Sequence, residues 1–155
     1  MKKYLYALIL IFVASNLGAT TQVKDVIVID GVSHRLITNP LNTLYNEITI
    51  SEKLKLNTGC SANWRGYVST WGVNKSMLIL LKIERNICLK AEIVGPAPLF
   101  KNRQYPIKAL WYTGPLEVLV MQKDRQADVH NYDVRNGRII SRKPIKPTQN
   151  PSLRI

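Results

Sequence analysis

CSANWRGYVSTWGVNKSMLILLKIERNIC, residues 60 to 88, decides the fold class. Two apolar runs, Trp64 to Trp71 and Met77 to Ile83, flank the polar break Val73-Asn74-Lys75, a pattern that predicts a β-hairpin. With those three residues as the loop, Gly72 faces Ser76, and counting outward pairs Trp71 with Met77, Ser69 with Ile79, Tyr67 with Leu81 and Arg65 with Ile83. One face of the hairpin is then almost wholly apolar. Carried further, the register sets Cys60 opposite Cys88, where strand partners lie within the roughly 4.4 to 6.8 Å Cα separation a disulfide requires.

The start of the chain bears on whether that disulfide forms. Lys2 and Lys3 precede an apolar run from Leu5 to Ala14, and Gly18 and Ala19 follow before the chain turns polar. This is the three-part layout of a secretory signal peptide, with cleavage expected after Ala19. The run is too short for the roughly 20 residues of a spanning helix, so no transmembrane segment is expected after cleavage. A periplasmic or secreted location follows, and two cysteines in an exported chain most simply pair with each other.

Removing residues 1–19 leaves 136 residues, which predicts one domain over 20–143 and a basic, proline-containing tail over 144–155. The mature chain keeps 20 basic and 10 acidic side chains. Such a surface favours acidic proteins or anionic envelope polymers and lipids. Nucleic acid is not an expected partner, because export removes the chain from the cytoplasm and no nucleic-acid motif accompanies the charge.

Outward from the central hairpin the chain reads as strands. Asp30-Gly31 and Asn136-Gly137, each between apolar runs, are type I′ turn signals. Ile48, Ile50, Leu54 and Leu56 against Thr49, Ser51, Lys53 and Lys55 predict a half-buried strand over 48–56, interrupted on its inner face by Glu52. Lys53, Lys55, Arg138 and Arg142 are expected to guard sheet edges. Eight or more short strands, with no amphipathic helix, give an all-β class: an antiparallel meander forming a β-sandwich or a partly open barrel.

The block Ser61-Ala62-Asn63-Trp64-Arg65-Gly66-Tyr67, followed by Trp71, resembles the W-R-G-Y-x-x-x-W block of an uncharacterised bacterial family of exported β-rich proteins. The likeness extends to Asn39-Pro40-Leu41, to Leu110-Trp111-Tyr112-Thr113-Gly114 and to Val134 to Ile140. It implies a shared β-rich fold and no reaction.

Catalytic chemistry is not written in the sequence. There is no H-E-x-x-H, no G-x-S-x-G and no zinc spacing, and the two histidines are far apart in the chain. Asp128 and His130 share a strand face but are too few for a metal or base site, and no cofactor is expected. The expected function is a non-enzymatic binding protein, an immunity or inhibitor protein for an acidic partner. The alternatives are a cationic protein held to anionic lipid or polymer, and a small hydrolase whose carboxylates assemble only in space. The binding candidates are Lys101, Arg103 and Tyr105 on the irregular stretch Gly95 to Pro106, with Tyr105 exposed. Trp64 and Arg65 join them, Arg65 positioned either to stack on a ring or to bind an acid.

Overall fold

A computed structural model describes residues 21–56, 60–121 and 127–144 of the chain. The expected signal peptide and all but the first residue of the expected tail lie outside the described residues. Among the described residues, nine strands form one sheet: β1 (Asp25–Ile29), β2 (Val32–Leu36), β3 (Tyr67–Asn74), β4 (Met77–Arg85), β5 (Glu92–Val94), β6 (Ile107–Lys108), β7 (Gly114–Met121), β8 (Ala127–Arg135) and β9 (Arg138–Pro144). Seven of them run in the order β3-β1-β2-β7-β8-β9-β4, and pairing of β3 with β4 closes the sheet into a barrel. The all-β class holds, while the sandwich alternative gives way to closure. Nor is the sheet a simple antiparallel meander, since β1 pairs with β3 in parallel through Val26–Thr70, Ile27–Trp71 and Val28–Gly72.

Local turn chemistry explains the hairpins. Asp30 and Gly31 take φ of 50° and 78°, and Asn136 and Gly137 take 49° and 75°, as type I′ turns require. Gly137 has a second reason to be glycine, because a Cβ there would meet the Ala109 carbonyl oxygen at 2.6 Å. The central hairpin turns later than the sequence predicts, its turn beginning at Lys75 and not at Val73. Asn74 faces Met77, and the two-residue turn Lys75-Ser76 takes φ of 47° and 61°. Trp71 therefore pairs with Leu80, not Met77, and a bulge between Thr70 and Trp71 shifts the ladder so that Ser69 faces Ile83 and Tyr67 faces Arg85.

The strand expected over 48–56 is a helix, α1 (Glu47–Leu54). Asn46 caps it, its Oδ1 accepting from the Thr49 N–H at 2.8 Å, and Lys55 ends it in the left-handed region. Ile50 and Leu54 are buried one helical turn apart, whereas Ile48 is 72% exposed. A helix removes the conflict a strand would have had, since Glu52 is exposed and no longer on an inner face. Lys53 and Lys55 accordingly belong to the helix and guard no sheet edge.

Closure gives one core. Ile27, Leu36, Trp71, Leu78, Leu80, Leu116 and Val118 are fully buried within it, and Leu41, Ile50 and Leu54 join from the 3₁₀ turn Pro40–Thr43 and α1. The Cys60–Cys88 disulfide forms as expected, with Cα atoms 6.2 Å apart. It lies outside the β3–β4 ladder: Cys60 opens a turn, bridged to Asn63, and Cys88 lies beyond the end of β4. No described helix is long and apolar enough to cross a membrane.

Candidate functional site

The W-R-G-Y block builds a closed polar cluster inside the start of the barrel. Gly66, at φ 77°, turns the chain into β3, so Arg65 lies just outside the ladder and reaches back to the first residue of β1. Its Nη2 is 3.0 Å from Asp25 Oδ1, with side chains 8% and 1% exposed respectively. Asp25 also accepts from the Ser69 backbone N–H at 3.1 Å and from Trp71 Nε1 at 3.3 Å. The remaining reach of the guanidinium is taken up by Asn39 Oδ1 at 2.7 Å, and its carbon stands 5.0 Å over the Tyr67 ring. Both expected roles of Arg65, ring stacking and acid binding, are thus met at once, inside the protein. Tyr67 donates to Asn42 Oδ1 at 3.1 Å, and Asn42 donates to Glu47 Oε1 at 3.1 Å.

Burial raises the Asp25 carboxyl above its ordinary value, against the pull of Arg65 and the two N–H donors. The Tyr67 phenol is raised too, first by burial and then by the Asp25 charge. Arg65, its side chain 8% exposed and committed to Asp25 and Asn39, serves this network as a scaffold.

The second group of candidates lies on the segment after β5. Leu99 and Phe100 N–H groups both donate to the Pro96 carbonyl, and the two side chains are buried. Phe100 packs on Trp111 at 5.1 Å between ring centroids, and Trp111 Nε1 donates to the Pro40 carbonyl at 3.1 Å. Because Asn39 holds Arg65, these contacts join the 96–103 segment, the 39–40 turn and the 60–66 turn into one continuous end of the molecule. Lys101 and Arg103 are exposed there. Tyr105, expected to be exposed, is half-buried against the core and donates to the Val94 carbonyl at 3.1 Å, and burial pushes its phenol up to about 12. Among the described residues the exposed aromatic is Trp64, at 58%. From Ile93 to Leu116 no acidic residue occurs, and Lys101, Arg103 and Lys108 are all exposed and in no ion pair among the described residues.

Asp128 and His130 share the inner face of β8, opposite Val120 and Val118. Among the described residues no group of three or more His, Cys, Asp or Glu side chains is placed to hold a metal. Burial lowers the His130 pKa from its ordinary value, and the charge of Arg142, whose Nη2 is 2.8 Å from Nδ1, lowers it further while Asp128 opposes. Well above about pH 6.5 the ring is neutral folded or unfolded. As pH falls below that value the unfolded chain takes up a proton that the folded site resists, so this group's contribution to stability is lost on acidification. Nuclear magnetic resonance titration of the His130 ring is expected to give a midpoint below the ordinary value, and Arg142→Gln is expected to raise it. An unshifted midpoint in both proteins would remove the contact from solution.

Compared with protein-family models, with curated proteins and with solved structures, the chain matches none. The family likeness read from the W-R-G-Y block finds no support in these comparisons.

Proposed function

We propose that the protein is an exported, non-enzymatic binding protein that acts by occupying an acidic protein partner, as an immunity protein or inhibitor does. The observation that carries this reading is the acid-free run from Ile93 to Leu116, with Lys101, Arg103 and Lys108 exposed on a segment anchored from beneath by Leu99, Phe100 and Tyr105. A backbone held in this way loses little freedom on binding, and cations without internal partners are available to an acidic surface. Trp64 supplies an exposed aromatic at the same end, and interface energy concentrates in tryptophan, tyrosine and arginine. Arg65 is not part of this surface, because its charge is spent on Asp25.

The test is capture from a periplasmic extract by immobilised protein at low and high salt, with Arg103→Ala and a deletion of residues 145–155 in parallel. Arg103→Ala is expected to weaken capture about tenfold or more, with an unchanged melting temperature, while the deletion leaves it intact. Capture should persist at high salt, where simple adhesion to polyanions is screened. Loss of capture on tail deletion alone would replace this reading with attachment to anionic lipid or polymer through the basic terminus.

A further inference from the structure

Two of the turns are alike in chemistry and opposite in surroundings. Asp30-Gly31 joins β1 to β2 and Asn136-Gly137 joins β8 to β9, each pair at positive φ in a two-residue turn. An aspartate or asparagine followed by glycine is open to one spontaneous reaction, because no side chain shields the glycine nitrogen. That nitrogen attacks the side-chain Cγ, an N–Cγ bond forms, and the N–H proton passes to water. Ammonia leaves from asparagine, and water leaves from the protonated aspartic acid, so that either residue gives a cyclic succinimide. Addition of water to one or the other ring carbonyl then opens it to aspartate or to isoaspartate, whose backbone is one carbon longer.

Asn136-Gly137 is clamped against this reaction. The Gly137 N–H donates to the Tyr112 carbonyl at 2.8 Å, and the Gly137 carbonyl accepts from the Leu78 N–H at 2.8 Å. The Asn136 N–H donates to Thr113 Oγ1 at 2.9 Å, and that hydroxyl donates to Asn136 Oδ1 at 3.3 Å. Gly137 is buried, with the Ala109 carbonyl oxygen 2.6 Å from where a Cβ would stand. Cyclisation requires the Gly137 nitrogen to give up its acceptor and the Asn136 side chain to leave Thr113 and swing onto that nitrogen. The turn must therefore first part from the 109–113 segment.

Asp30-Gly31 has no such clamp. Both residues are exposed, and a Cβ added at Gly31 would meet nothing within 4 Å. Among the described residues the Gly31 N–H has no backbone acceptor, and the Asp30 carboxylate is in no ion pair. We propose that spontaneous succinimide chemistry proceeds at Asp30-Gly31, the modification site of this barrel, while the fold shields Asn136-Gly137 from it. The extra backbone carbon of an isoaspartate at position 30 falls in the turn that sets the Ile29–Val32 pair, and so acts on the hairpin whose other end pairs Asp25 with Leu36. Neither turn belongs to the Lys101–Arg103 surface, and neither proposal depends on the other.

The test is ageing of the whole, disulfide-bonded protein at neutral pH and physiological temperature, beside the same chain unfolded and reduced in guanidinium chloride. Peptide mass spectrometry reads deamidation at Asn136, and isoaspartyl methyltransferase labelling of the separated peptides reads isomerisation at Asp30. A shielded site reacts only in the fraction of molecules whose turn is open, so deamidation at Asn136 is expected to be about tenfold or more slower in the folded protein. Isomerisation at Asp30 is expected to run at close to the unfolded rate. Thr113→Val, which keeps the shape of an exposed side chain and removes both hydroxyl bonds, should speed deamidation of folded protein at Asn136 and leave Asp30 unchanged. Equal slowing of the two sites on folding, or folded-state deamidation of Thr113→Val no faster than that of the wild type, would overturn the proposal.

Discussion

Arg65→Ala is expected to destabilise the folded protein by about 3 to 5 kcal/mol, the range for removing one partner of a buried ion pair. The side chains of Asp25 and Arg65 are 1% and 8% exposed, so the substitution leaves a carboxylate in the barrel with two N–H donors and no cation. It also strips the Tyr67 ring of the guanidinium above it and leaves Asn39 Oδ1 without its donor. Removing both charges is a different matter, since a buried pair often breaks even against apolar residues of similar volume. Asp25→Leu with Arg65→Met should therefore retain much of the stability that Arg65→Ala loses. Urea denaturation of the three proteins decides it. A cost for Arg65→Ala no larger than about 1 kcal/mol, the scale of a surface ion pair, would mean that the cluster is open to water.

Replacing both cysteines, Cys60→Ser with Cys88→Ser, is expected to cost about 3 to 4 kcal/mol, from the chain entropy of a 29-residue ring. The bond joins the end of β4 to the turn that delivers Arg65, and it does so outside the β3–β4 ladder. Its loss should therefore lower the denaturation midpoint without changing the strand content seen by circular dichroism. A loss below about 1 kcal/mol would mean that the unreduced ring constrains the unfolded chain far less than its length implies.

The parts of the fold legible in the sequence are those governed by local chemistry. Asp30-Gly31 and Asn136-Gly137 mark their hairpins because few residues accept positive φ at both turn positions. The central hairpin has no glycine at its turn. Lys75 and Ser76 adopt positive φ under the pull of the flanking strands, so the break at Val73-Asn74-Lys75 located the turn only to within two residues. The cysteine pairing survives that error because a disulfide needs proximity and not a ladder position. Helix α1 was hidden by the chance alternation of Ile48 and Ile50. Its own signals were the Asn46 cap and the spacing from Ile50 to Leu54.

The candidate surface was half legible. Lys101 and Arg103 stand out as cations in an acid-free irregular stretch, but Leu99-Phe100, the apolar pair that anchors it, was the sign that Tyr105 nearby would also turn inward. Asp25 could have been found by parity, since it shares the inner face with Ile27 and Ile29 and so needs a cation in the core. The parallel β1–β3 pairing on which the closed barrel also depends joins residues more than forty positions apart, and no local pattern encodes it.

The inner cluster that holds the fold is distinct from the outer cationic segment proposed to meet a partner. Side-by-side capture by two variants tests that division most directly: the charge reversal Lys101→Glu with Arg103→Glu, and the core replacement Asp25→Leu with Arg65→Met, each first shown to be folded by circular dichroism. The charge reversal is expected to abolish capture from the periplasmic extract while the core replacement retains it. Retained capture by the charge reversal, together with its loss in the folded core replacement, would contradict the account and move the binding function to the W-R-G-Y cluster.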